Sequence, residues 1–152
     1  MASAVTIFSL IFLLSTTVYL HHPVLAWRPT LIETDKLMCI TYRVHVMNGL
    51  SSNKDPLFLH CQSRDDDLGD HTLYLGGDFN FKFRIKLFGK STWFSCDMIW
   101  GSKHQHVDVF TEKIEGPMCC IEGNSCHWRA QDDGIYFSMN NVDWIKRYDW
   151  LQ

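Results

Sequence analysis

Phe79, Phe81, Phe83, Ile85 and Leu87 occupy every second position of one stretch, with Asn80, Lys82, Arg84 and Lys86 between them. No other stretch restricts the fold so tightly. On a helix these apolar side chains would scatter around the circumference, whereas an extended strand projects all of them to one side. The stretch therefore demands a sheet with one face in a core and the other in water. Burial of each such side chain is worth about 1.5–3 kcal/mol, an upper value because the unfolded chain is already partly collapsed.

The same alternation recurs, less regularly, on both sides. Tyr42, Val44 and Val46 alternate with Arg43, His45 and Met47 and stop at the turn dipeptide Asn48-Gly49. Leu57, Leu59 and Cys61 alternate with Phe58, His60 and Gln62, and residues 71–75 form a further strand closed by Gly76-Gly77. Phe94, Cys96, Met98 and Trp100 share one side of residues 92–100, and residues 106–111 carry Val107 and Val109 on one face and Phe110 on the other. Residues 126–130 and 134–139 flank the turn Gln131-Asp132-Asp133-Gly134, and the aromatic-rich stretch 142–150 supplies the last strand. Residues 27–36 read as an extended arm, and 112–125 as a long loop. No segment carries helical periodicity over three turns. Seven or eight short strands between Gly, Pro, Asn and Asp turns specify an all-β domain, and one-sided alternation specifies an antiparallel β-sandwich. A small closed barrel is the alternative that patterning leaves open.

Residues 1–26 contain no Asp, Glu, Lys or Arg, and their apolar run from Ile7 to Leu14 falls well short of the ~20 residues of a membrane span. Val24-Leu25-Ala26 then presents the small residues that signal peptidase favours. This reads as a cleaved secretory signal, with the n-region unusual in lacking Lys and Arg; an uncleaved anchor is the rival. Residues 27–152 form a single domain, exported and not inserted in a membrane. A net charge of −3 with both signs interspersed offers no basic stripe for nucleic acid.

Six cysteines, Cys39, Cys61, Cys96, Cys119, Cys120 and Cys126, lie beyond that signal. In an oxidising compartment they form three disulfides, with about 15 pairings open. Zinc held by Cys119, Cys120, Cys126 and His127 is the rival, but the usual paired-cysteine spacing is absent. A bridge between the adjacent Cys119 and Cys120 would need a strained ring, so each reaches a different partner.

Asp65, Asp66 and Asp67 end the strand 57–62 abruptly. Three neighbouring carboxylates repel one another and meet water, a cation or a basic partner. Calcium in an EF-hand geometry is not matched, because counting from Asp65 puts Gly69 at position five and Asp70 at position six. A solvated turn held by backbone N–H groups or Arg64, and a partner-contact loop, are the remaining readings.

Enzyme chemistry finds little purchase. There is no nucleophile elbow, His-Glu-x-x-His or phosphate-cradling loop. His104 and His106 would share one side of a strand, half a metal site without a third ligand. His60 reads as a structural hydrogen-bonding residue. A carboxylate pair for glycoside hydrolysis could join Asp65–Asp67 to Asp132 or Asp133, and Trp93 or Trp144 could line a sugar face, though core packing is the plainer role for both. No cofactor or metal is expected.

Taken in order, His60-Cys61-x-Ser63-x-Asp65-Asp66-Asp67-Leu68-Gly69, Thr92-x-Phe94-x-Cys96 with Trp100, Cys126-x-Trp128 and Asp133-Gly134-x-Tyr136 resemble the plant self-incompatibility protein family, the S-protein homologues. The resemblance runs from Tyr42 to Trp150. It implies a secreted, disulfide-stapled β-sandwich from a plant; in the poppy members the protein is a stigma ligand that triggers rejection of self pollen through a pollen surface receptor. The family's four cysteines map onto Cys61, Cys96, one of Cys119 or Cys120, and Cys126, which leaves Cys39 free to bridge the other vicinal cysteine. The function this implies is an extracellular ligand for a cell-surface receptor, with Asp65, Asp66, Asp67, Glu112, Lys113, Glu115 and Glu122 as candidate contacts. The alternative is a secreted carbohydrate-binding or hydrolytic module.

Overall fold

The computed structural model describes residues 39–86, 89 and 91–152. The signal segment 1–26, the arm 27–36 and Leu87 lie outside the described residues. Nine strands follow in order: β1 (Thr41–Asn48), β2 (Leu57–Ser63), β3 (Asp67–Leu73), β4 (Asp78–Arg84), β5 (Trp93–Trp100), β6 (Lys103–Thr111), β7 (Ser125–Gln131), β8 (Gly134–Ser138) and β9 (Ile145–Tyr148). They make a five-stranded sheet, β4-β1-β7-β8-β9, and a four-stranded sheet, β3-β2-β5-β6. Alternate side chains of the two sheets meet in one core: Val44 and Val46, Cys126 and Trp128, Leu57 and Leu59, Met98, Val107 and Val109 are all buried. The Trp128 indole crosses the sandwich to donate to the Val109 carbonyl at 2.8 Å.

The most regular strand of the sequence is an edge. β4 pairs with β1 alone, and its phenylalanines are half-buried, capping the open side of the sandwich through rings that touch the opposite sheet. Phe83 meets Phe94 and Phe110 at centroid distances of 4.6 and 4.7 Å, and Phe79 stacks on His71 at 3.6 Å. The outward row of Asn80, Lys82 and Arg84 keeps this edge soluble.

Four expectations need correction. The all-β sandwich is mainly antiparallel as expected, but among the described residues its strands number nine where about seven or eight were expected, and one pair, β1 with β7, is parallel. β3 starts at Asp67, not at residue 71, because the pairing shifts at Cys61/Gln62 and Gly69, at φ 79°, absorbs the extra residue. That irregularity hides the alternation. The stretch 112–125 is not all loop: it holds the helix α1 (Glu115–Ile121). Finally, Trp93 is not packed in the core but stands 49% exposed, its indole bonded to Asp108 at 2.9 Å.

All six cysteines are paired, as Cys39–Cys120, Cys61–Cys96 and Cys119–Cys126. Cys61 and Cys96 are directly opposite on β2 and β5, so this bridge lies within one sheet. The other two fasten α1 on either side, Cys119 to β7 and Cys120 to Cys39, two positions before β1 begins. The zinc alternative is thereby excluded, since its three thiols are consumed in bridges.

Candidate recognition surface

β2 and β3 are joined by only Arg64, Asp65 and Asp66, so the acidic stretch is the tip of a tight hairpin. Its polar groups are largely occupied. Ser63 N–H donates to the Asp66 carbonyl at 2.7 Å, the Ser63 hydroxyl accepts from Asp66 N–H at 2.9 Å, and Asp67 accepts Gly69 N–H at 2.8 Å. Asp65 accepts from Arg64 Nε and Nη2, each at 3.2 Å, and from Lys86 at 3.0 Å. The Arg64 hydrogen bond foremost, then that of Lys86, hold the Asp65 carboxyl down at about 2. The expected solvated, hydrogen-bonded turn is what forms, with Leu68 packed against the core. Lys86 is the partner that sequence reasoning missed. Alternation places it on a polar face but says nothing of a hairpin 21 residues away.

The second candidate stretch reaches the same end of the sandwich. The Glu112 carboxylate accepts Thr92 N–H at 2.9 Å and the Ser91 hydroxyl at 3.3 Å. Thr92 and Trp93 in turn line a cleft with Asp65, Asp66, Arg84 and Lys86. Lys113 and Glu122 are exposed beside α1. Glu115 is the exception: at 5% exposure it cannot contact a partner. Its carboxylate turns inward to accept the Thr111 N–H at 2.8 Å and hydroxyl at 2.7 Å, closing the chain reversal before α1.

The remaining chemistry does not assemble. Asp132 accepts Ser51 N–H at 2.9 Å, in the connection that precedes β2, whereas Asp65 follows β2; a seven-residue strand of about 20 Å separates them, beyond the spacing of glycosidase carboxylates. Asp133 accepts the Tyr136 hydroxyl at 2.7 Å. His60 sits 2.7 Å from Asp70, and His106 2.7 Å from Asp97. The Arg129 guanidinium lies over the Trp144 ring, 4.0 Å from its centre. Among the described residues no group of three or more His, Cys, Asp or Glu is arranged to hold a metal ion, and no helix is long and apolar enough to cross a membrane.

Residues 43–150 match the family model of the plant self-incompatibility protein S1. The chain belongs to that family. S-protein homolog 5 of Arabidopsis thaliana is 34% identical over 79 residues, 52% of this chain and 58% of that one. S-protein homolog 3 of the same plant is 33% identical over 119 residues, covering 78% and 74% of the two chains. A solved structure of self-incompatibility protein homologues, described as a widespread family of small, highly stable, secreted proteins from plants, shares the fold, with a TM-score of 0.58 at 19% identity over 76% of this chain and 99% of that one. Two of the three bridges, Cys61–Cys96 and Cys119–Cys126, lie inside the family match. Cys39 lies outside it, and its bridge to Cys120 ties the residues before β1 to the helix.

Proposed function

We propose that this self-incompatibility family protein is exported through a cleaved signal at residues 1–26 and acts, as a domain of residues 27–152, as an extracellular ligand for a cell-surface receptor. The single observation that carries the reading is the convergence at one end of the sandwich. The hairpin tip at Asp65 and Asp66, and the segment that Glu112 anchors to Thr92, border one cleft. Recognition needs loops held rigidly on a scaffold, and three disulfides with a hydrogen-bonded tip supply that rigidity. Asp66, Lys113 and Glu122 are the exposed contacts; Asp65 and Glu112 hold the loops in shape. Pollen rejection is the role of this kind that the poppy members suggest.

The second reading, a carbohydrate-binding module, draws on Trp93, whose exposed ring borders the same cleft. Labelled, disulfide-intact protein incubated with plant cells and with a glycan panel separates the two. Saturable binding displaced by unlabelled protein and weakened by Asp66→Asn is the expected result. Binding that never saturates, together with glycan capture or turnover, would overturn the ligand reading.

A further inference from the structure

The outward face of the four-stranded sheet is a surface that the loop end does not include. One rung across it reads Asp70, His60, Asp97, His106 from β3 to β6, each directly opposite the next. His60 Nδ1 lies 2.7 Å from Asp70 and its Nε2 3.5 Å from Asp67; His106 Nδ1 lies 2.7 Å from Asp97 and its Nε2 3.9 Å from Asp108. Each imidazole is bracketed by two carboxylates. The adjoining rung reads Thr72, Phe58, Ile99, His104, and there Phe58 and Ile99, directly opposite, are 46% and 48% exposed.

Asp67, Asp70, Asp97 and Asp108 are all the acidic residues of the four strands, and Lys103 is their one Lys or Arg. Lys103 does not serve them: its ammonium lies over the Trp100 ring and donates to the Asp132 carbonyl. Among the described residues none of the four carboxylates pairs with Lys or Arg. Two exposed apolar side chains beside Asp70 and Asp97, with Asp67 and Asp108 beyond them and no Lys or Arg on any of the four, form a face whose complement is positively charged and partly apolar.

We infer that this face docks a cationic polypeptide segment, its Lys or Arg side chains on Asp70, Asp97 and Asp108 and an aliphatic or aromatic side chain across Phe58 and Ile99. The inference rests on the ligand reading above and gives the chemistry of the receptor segment. It also makes attachment depend on pH. His60 faces Asp70 and Asp67 on β3 and Asp97 on β5; His106 faces Asp97 on β5 and Asp108 on its own strand, with His104 beside it. Protonation of the bracketed His60 imidazole offsets one of the face's four negative charges, so a cationic partner is held less tightly as pH falls. The Asp70 hydrogen bond, opposed by desolvation and aided by Asp67 and Asp97, already draws the His60 titration above its ordinary value.

The test is an NMR titration of the isotope-labelled, disulfide-intact protein with a synthetic peptide of alternating Arg and Leu, against its Glu-Leu counterpart. Shifts at Phe58, His60, Asp97 and Ile99 are expected for the Arg-Leu peptide alone. The Asp70→Asn, Asp97→Asn variant should bind about fivefold more weakly, the worth of two exposed ion pairs. Lowering the solution from about pH 7.5 to about pH 5 should weaken wild type about twofold, the worth of one exposed ion pair, and weaken His60→Gln less. These substitutions are at the surface, and a dispersed amide spectrum verifies each fold. Shifts confined to the hairpin tip Arg64–Asp66, an equal response to the Glu-Leu peptide, or undiminished binding by the Asp70, Asp97 variant would overturn the inference. Cell binding distinguishes the two proposals: saturable binding that this variant retains in full rejects the face and leaves the ligand reading standing.

Discussion

Removing the Cys39–Cys120 bridge should cost this domain a large part of its stability through the unfolded chain. The two residues are 81 apart in sequence, but the circuit that the bridge closes is shorter. From Cys39 it runs about 22 residues to Cys61, crosses the bridge to Cys96, and continues about 24 residues to Cys120, roughly 46 in all, for which loop-closure entropy gives about 4 kcal/mol. Both cysteines are half-buried, so the Cys39→Ala, Cys120→Ala variant loses little core packing. In a background already lacking Cys61–Cys96 the circuit lengthens to 81 residues, and the same change costs about 0.5 kcal/mol more, because closure entropy grows only logarithmically. Guanidinium unfolding followed through the six tryptophans measures both, and the m-value should rise as the unfolded chain expands. A loss below about 1 kcal/mol with an unchanged m-value would refute the reasoning, since it would mean the unbridged chain is restricted just as tightly.

Gly134 opens β8 at φ 155°, and a methyl group there would stand 2.5 Å from the Tyr148 carbonyl; Gly134→Ala should therefore cost about 2–3 kcal/mol and loosen β9, read by amide exchange of Ile145–Tyr148. Glu115→Ala strips the acceptor from the Thr111 N–H and hydroxyl and should cost about 2 kcal/mol in denaturant unfolding, with Glu115→Gln costing less. Burial first, and the neighbouring His45 second, push His127 below its ordinary 6.5, so the native imidazole stays neutral where the unfolded one takes a proton. Stability from this residue is complete above pH 6.5 and declines as pH falls toward the lowered native value; His127→Gln should flatten that acid slope in unfolding midpoints measured from about pH 7 to about pH 5. His60 works in the opposite sense, its contribution present below pH 6.5 and lost as pH rises through its raised native value.

The sandwich was legible wherever alternation was unbroken. β1, β2, β4 and β5 could be read from period two alone, because a single slip would turn each apolar row to water. β3 could not, since Gly69 and the shifted pairing interrupt the period and three of its first four residues are Asp or Gly. The helix escaped for a different reason: it is two turns long, contains Gly116-Pro117 and has no side-chain cap, so its stability comes from two disulfides and Glu115 rather than from local propensity. The parallel pairing of β1 with β7 joins strands about 80 residues apart, which no local pattern encodes. At the recognition end, the exposure of Asp66 followed from charge alone, but the turning inward of Glu115 depended on a chain reversal that only the fold creates. The outward rung of Asp70, His60, Asp97 and His106 likewise exists only once four strands are in register.

The neighbouring thiols of α1 pose a sorting problem during oxidation, for Cys119 and Cys120 differ by one position and each has a plausible mate nearby. Successive residues on a helix point about 100° apart. Cys119 therefore faces the interior, fully buried toward β7, while Cys120 looks along the surface toward Cys39. A chain oxidised before this turn has wound can swap the two mates, and because the turn draws its stability from those same bridges, winding and correct pairing have to be reached together.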